Sequence, residues 1–337
     1  MRATKTVLIM AAAATIAGLT GCAGNSKPAA SPAAPAVTPG QQRAVEPVAN
    51  VTALNGTFFY MGGYNISGEF FSVQNGKKKT VAADTRDGFQ YYASVSPDGK
   101  HVAYLGSGMK VVVSDVDGRN KKTFAVKLGL EAHGPAWTAD STGVIGALAA
   151  KSGPSTAGVV RIADGRFIAL PKSVQGGYHY RMSGDGKRIF WVSSKMAVYS
   201  AAVDGSAVRR MPVFGLDTTK AQNPKHLLAG DLGQVDFTGS RVTVAVRGWA
   251  NTHAVDALGA DRSDTLVDTA TGQVLPLPLK GYVLHVMLLP DGSVLTLSGE
   301  GDSAAKSPVF TLFSKDLKKV LTQPTKLGNN VLRDYRM

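Results

Sequence analysis

A chain of 337 residues with 37 Lys and Arg against 24 Asp and Glu carries a formal charge of +13 and a single cysteine. One thiol excludes an internal disulfide and a thiolate metal site. The basic balance suits anionic phospholipid headgroups or acidic wall polymers, and an exported chain excludes nucleic acid as the expected partner.

The N-terminus reads as an export address. Arg2 and Lys5 open the chain, residues 7–19 form a run of apolar and small residues, and Leu19-Thr20-Gly21-Cys22 follows. The run falls short of the roughly 20 residues that a membrane-spanning helix needs. Residues 1–21 are therefore expected to be a signal peptide. The last four residues resemble the bacterial lipobox, in which an apolar residue stands three before the cysteine and small residues fill the gap. The resemblance implies that Cys22 is lipidated and anchors the protein to the outer face of the cytoplasmic membrane, or in the periplasm of a diderm cell. A covalent lipid on Cys22 is the only added group expected, with no cofactor and no metal.

Residues 23–50 are rich in Ala, Pro, Ser and Gly and nearly devoid of large apolar side chains, so they cannot bury enough surface to offset ordering. With Cys22 they form a tether (residues 22–50), and at roughly 3.1 Å per residue its 28 coil residues reach about 90 Å when fully drawn out. The folded domain is expected to occupy residues 51–337.

Within that domain one unit recurs. Ser96-Pro97-Asp98-Gly99 fits a type I turn between two apolar runs, with Pro at the second position and Gly at the fourth. Related turns stand at Thr138-Ala139-Asp140-Ser141, Ser183-Gly184-Asp185-Gly186, Phe237-Thr238-Gly239-Ser240 and Leu289-Pro290-Asp291-Gly292. A second series closes outer hairpins at Asn75-Gly76, Asp117-Gly118, Asp164-Gly165, Asp204-Gly205, Thr271-Gly272 and Lys315-Asp316. Spacing near that of a four-stranded blade predicts an all-β, six-bladed β-propeller, with seven blades as the alternative.

Strands are expected in blade two at Phe89–Val95, His101–Leu105, Lys110–Val116 and Thr123–Val126. Blade three takes Gly134–Thr138, Gly143–Leu148, Gly158–Ala163 and Arg166–Leu170. Blade four takes Tyr178–Ser183, Arg188–Val192, Ala197–Val203 and Val208–Met211. Leu232–Phe237, Arg241–Val246, Asp264–Thr269 and Gln273–Leu277 make blade five, and Val283–Leu289, Ser293–Leu297, Val309–Ser314 and Lys318–Leu321 make blade six. The first unit, with Thr57–Met61, Glu69–Val73 and Thr80–Ala83, lacks an inner strand. Asn330–Tyr335 is expected to supply it, closing the ring and removing its open edges.

The segments Ser96-Pro97-Asp98-Gly99-Lys100-His101-Val102-Ala103-Tyr104, Pro135-Ala136-Trp137-Thr138-Ala139-Asp140-Ser141 and Ser183-Gly184-Asp185-Gly186-Lys187-Arg188-Ile189-Phe190 resemble the repeats of the TolB-like, WD40-like (PD40-type) propeller family. The resemblance covers residues 57–337 and implies the propeller fold. It carries over no binding residue, because propellers host enzymes, receptors and scaffolds alike.

No Gly-x-Ser-x-Gly elbow, His-Glu-x-x-His, phosphate loop or calcium loop is present, and no catalytic residue is assigned. His133, His179 and His285 fall on or beside innermost strands, where imidazoles can face the axis as channel candidates or simply pack. Tyr91, Trp137, Tyr178, Tyr180 and Trp191 read as packing between blades. Three long loops, residues 212–230, 247–262 and 298–307, share one face. They carry a candidate binding crown of Arg247, Trp249, His253, Asp256, Asp261, Arg262, Glu300 and Asp302. The sequence thus predicts a membrane-tethered lipoprotein whose propeller is a non-catalytic binding module for an envelope protein or wall polymer. A hydrolase or lyase on envelope glycans or small molecules, and an accessory to a membrane sensor, are the alternatives.

Overall fold

The computed structural model describes residues 51–62, 69–83, 93–129, 134–148, 155–215, 227–247, 263–279, 282–299, 307–326 and 330–337. They build six antiparallel sheets arranged as the blades of a propeller. From the axis outwards, blade one is β23 (Val331–Arg336), β1 (Thr57–Met61), β2 (Glu69–Gln74) and β3 (Lys77–Ala83). Blade two is β4 (Ser94–Val95), β5 (His101–Leu105), β6 (Lys110–Asp115) and β7 (Lys122–Lys127). Blade three is β8 (Ala136–Trp137), β9 (Gly143–Ala147), β10 (Ala157–Arg161) and β11 (Phe167–Ala169). Blade four is β12 (Gly177–Met182), β13 (Arg188–Ser193), β14 (Val198–Ala202) and β15 (Arg209–Arg210). Blade five is β16 (Leu228–Val235), β17 (Arg241–Arg247) and β18 (Thr265–Asp268). Blade six is β19 (Tyr282–Leu288), β20 (Val294–Gly299), β21 (Val309–Phe313) and β22 (Lys319–Pro324).

The apolar runs are continuous because each middle strand is buried on both faces. Side chains alternate across the sheet, so Ile189 and Trp191 of β13 pack toward blade three while Phe190 and Val192 pack toward blade five. Phe58 and Tyr60 of β1 turn toward blade six, and Phe59 turns toward blade two. Six apolar clusters result, one at each seam between neighbouring blades.

The ring closes as the sequence predicts. β23 pairs with β1 along Thr57↔Arg336 to Met61↔Val331. The closing seam is aromatic: Phe58 lies 4.7 Å from Phe310 and 4.5 Å from Tyr335, centroid to centroid. The Tyr335 hydroxyl accepts the Gly56 N–H at 3.1 Å. A Cβ on Gly56 would fall 2.0 Å from the Arg336 carbonyl oxygen, so only glycine lets the chain before β1 approach the end of β23. The described strands thus form a closed ring, with β23 completing blade one.

Two expectations are corrected. The fourth strand of blade five, expected at Gln273–Leu277, is a single bridge, Val267↔Val274, among the described residues. The Asp268 N–H reaches Gln273 and the Leu275 N–H reaches Leu266, and the ladder then stops. Pro276 and Pro278 hold φ near −65°, away from the β value, and the Leu279 N–H folds back on the Leu277 carbonyl. The inner strand of the same blade begins at Leu228 rather than Leu232, so residues 228–230 belong to the sheet and not to the preceding loop.

The repeated turn has one chemistry. Ser96 Oγ donates to Asp98 Oδ1 and accepts the His101 N–H, while Asp98 also accepts the Lys100 N–H. Thr138 with Asp140, and Ser183 with Asp185, repeat the arrangement. Each of the five turns has one residue of positive φ, from 61° at Ser141 to 83° at Gly292, at the fourth position in four of them and at Gly239, one place earlier, in the turn at Phe237–Ser240. That is a type I turn followed by a left-handed residue, a common hairpin closure. Ser141, the one non-glycine, uses its hydroxyl to accept the Asp98 N–H of the neighbouring blade.

Candidate functional site

The inner strands surround an axial channel of about 840 Å³. Its lining includes the strand one to strand two turns of blades two to six together with Gly56 and Met337, so its mouth lies on the face of tight turns. The inner strands contribute charged and titratable groups to the wall: Arg181 of β12, Asp231 of β16, His285 of β19, and Arg333 and Asp334 of β23.

All four of these inner strands are bulged. Register shifts fall between Tyr178 and Arg181, between Ala229 and Asp231, between Val283 and His285, and between Leu332 and Asp334, where Arg333 is the extra residue. A bulge re-aims the side chains beside it. It sets His179 at φ 54°, a strained value for a non-glycine residue, and turns that imidazole into the seam between blades four and five. There His179 Nδ1 lies against Asp231 Oδ1, with side chains only 5% and 2% exposed. His285, also buried, faces the channel.

The wall is braced by side chains that cross from blade to blade. Arg181 donates Nε to the Gly233 carbonyl at 2.6 Å and Nη1 to the Tyr180 carbonyl at 2.9 Å. Gln234 accepts the Leu288 N–H at 2.7 Å. Arg336 pairs with Asp334 at 2.8 Å and reaches the Val95 carbonyl of blade two at 3.4 Å. Burial pushes the Asp334 carboxyl above its ordinary range, although Arg336 and the Tyr335 N–H pull it down. The channel therefore presents cationic and anionic groups held at fixed places, a lining suited to a ligand with polar groups of both signs.

Of the channel histidines named from the sequence, His285 lines the channel, His179 packs at a seam, and His133 lies outside the described residues. Trp137 donates its indole N–H to the Ser94 carbonyl across a seam at 3.0 Å. Tyr180 donates to the Val174 carbonyl at 2.8 Å and lies 6.4 Å from Trp191. Tyr91, Cys22 and the tether lie outside the described residues, as do Trp249, His253, Asp256, Asp261, Arg262, Glu300 and Asp302. Arg247 is the last residue of β17, and Ser298, expected to open a loop, is buried within β20. Sequence reasoning overlooked Arg181, Asp231, Arg333 and Asp334. Their signal was a charged residue on an inner strand, within six positions of a repeated turn or of residue 337.

These features define the class: a six-bladed β-propeller with the TolB-type fold. TolB from Acinetobacter baumannii superposes with a TM-score of 0.54 at 13% identity, covering 83% of this chain and 66% of that one. This chain thus spans just under two thirds of that protein's length. A nidogen/laminin complex gives a TM-score of 0.49 at 11% identity over 79% of this chain and 93% of that one. A TolB-type protein of Agrobacterium tumefaciens gives 0.48 at 12% identity over 84% and 99%. No protein-family model matches the chain, and no curated protein matches it. At such identities the likeness is one of fold.

Proposed function

We propose that this protein is an exported bacterial lipoprotein, anchored through Cys22, whose propeller of PD40-type repeats serves as a non-catalytic binding module in the envelope. The observation that carries the reading is the order of parts: the only cysteine of the chain closes an export-type leader, and 28 residues separate it from the first described residue of a closed ring. The partner is an envelope protein or wall polymer, held by the crown around Trp249. Metabolic labelling with a fatty-acid analogue tests the anchor. Label is expected on the wild type and absent from Cys22→Ala, which leaves the lipid-anchored fraction; equal labelling of the two would overturn the anchor.

A second reading is favoured by the channel, where His285, Asp231, Arg181 and Arg333 converge. In it the protein is a hydrolase or lyase acting on envelope glycans or small molecules at the channel mouth. Turnover that disappears in His285→Ala with an unchanged melt would decide for this reading.

A further inference from the structure

Positive charge is unevenly placed around the ring. The outer strand β3 carries Lys77, Lys78 and Lys79, β7 carries Lys122 and Lys127, and β22 carries Lys319 with Lys318 beside it. All are exposed, and none of the three strands contains an acidic residue. Their blades six, one and two are consecutive, joined by the apolar seams between six and one and between one and two. Across the ring β11 carries no charge, β18 carries only Asp268, and β15 carries Arg209 and Arg210. Lysines that served only to keep outer edges from pairing with another sheet would be needed equally on β11 and β18.

Some of the lysines have local partners. Lys78 pairs with Glu69 and Lys79 with Asp117, while Lys122 donates to the carbonyls of Ile162 and Ala163. Lys77, Lys127, Lys318 and Lys319 make no ion pair among the described residues.

The second observation is where the chain enters the ring. Leu54 is buried in the seam between blades six and one, Val51 packs on the same cluster, and the Leu54 N–H donates to Gln323 of β22 at 3.0 Å. The described chain thus begins beside β22, inside the basic arc. The 28 residues that join it to Cys22 are rooted there.

We propose that the outer strands of blades six, one and two are a docking edge for an anionic phospholipid bilayer, on which the propeller rests edge-on. The occupant follows from charge complementarity and from the root of the tether. A leash fixed in the basic arc returns that arc, rather than the opposite one, to the surface that holds its other end. Each lysine near an anionic surface strengthens partition about fivefold, and only within a Debye length of about 8 Å at physiological salt. Attraction of this kind therefore requires the arc to face the bilayer. The leash, which raises the effective concentration of the edge at the surface, rests on the reading of Cys22 as lipidated. The edge itself does not.

The test uses residues 22–337 made without the leader and hence without lipid, sedimented with vesicles of phosphatidylcholine alone or of equal parts phosphatidylglycerol and phosphatidylcholine. Binding is expected to the anionic vesicles and at least tenfold weaker to the neutral ones. Replacing Lys77, Lys127, Lys318 and Lys319 with Glu is expected to lower binding at least tenfold. The matched replacement of Arg166, Lys172, Lys195 and Arg209, on the other half of the ring, is expected to leave it within about twofold. Gln at the same four lysines serves if the Glu variant melts abnormally, with a loss of the same direction expected. Equal loss in both sets, equal binding to both vesicles, no binding to the anionic vesicles, or retention only on an acidic wall polymer would each overturn the docking edge. Because the chain carries no lipid, these outcomes are separate from the labelling result at Cys22.

Discussion

At the scale of single residues, the repeat is a hydroxyl and a carboxylate that together satisfy one hairpin. Ser183 is fully buried, donates to Asp185 at 2.6 Å and accepts the Arg188 N–H at 3.0 Å. Removing a buried hydroxyl leaves both partners unsatisfied, at a cost of about 1–3 kcal/mol. Ser183→Ala should lower the melting temperature by an amount consistent with that range, and Ser206→Ala in the exposed outer hairpin should lower it far less; thermal denaturation compares them. The outer turns also set the acid response. The Ser206 hydroxyl and N–H hold Asp204 below its ordinary value, and the Thr271 hydroxyl and N–H do the same for Asp268. A carboxyl whose pKa folding depresses contributes stability that is present above the ordinary carboxylate value and is lost as pH falls through the folded one. Asp334 has the opposite sign, since its raised value means a contribution present at low pH and lost as pH rises. The melting temperature should therefore fall on acidification below about pH 4, and the double variant Asp204→Asn, Asp268→Asn should flatten that fall in a pH series of melts.

At the scale of elements, closure depends on one strand and one glycine. β23 is the innermost strand of blade one and supplies Leu332 and Tyr335 to the largest seam. Deleting residues 331–337 would bare the inner edge of β1, a template for pairing with another chain. Gly56→Ala attacks the same seam more gently, because its Cβ would meet the Arg336 carbonyl; overpacking of this kind costs about 1–3 kcal/mol. The expected order of melting temperatures is wild type, then Gly56→Ala, then the deletion, with aggregation of the last seen by light scattering. A deletion that melts like the wild type would mean that the ring does not need β23. The strand boundaries were readable because continuous apolar runs and turn chemistry agree: β5 and β1 match their expected limits residue for residue. The fourth strand of blade five was misread, since Gln273 to Leu279 alternates in hydrophobicity like a strand while its two prolines, visible in the sequence, fix a different φ.

At the scale of the molecule, the two faces of the ring differ. Tight turns and the channel mouth share one face, and the strand ends that bear the three long loops point to the other. An aromatic anchor in a loop of small and polar residues offers large contact area at low entropic cost, and such anchors often dominate binding energy. Once a partner has been captured from membranes, Trp249→Ala should weaken its binding by about 1 kcal/mol or more with the melt unchanged. Equal affinity in that variant would move the search to the channel mouth. His285→Ala would then be the variant to compare, since His285 lies in the channel wall and away from that crown face.

By itself the sequence determined the propeller architecture, the turns, the closing strand and the unique cysteine, and set six blades ahead of seven, because each depends on local pattern: apolar runs between turns, an Asp and Gly at fixed offsets, or a residue that occurs once. The tertiary structure alone decided which inner-strand side chains meet. Asp231 and His179 are 52 positions apart in the chain yet share a seam, and Arg181, His285 and Arg333 converge on one channel from three blades. Bulges in β12, β16, β19 and β23 set those directions. A one-residue slip in pairing reverses every side chain beyond it, and a single strand read in isolation carries no mark of where its neighbour will slip.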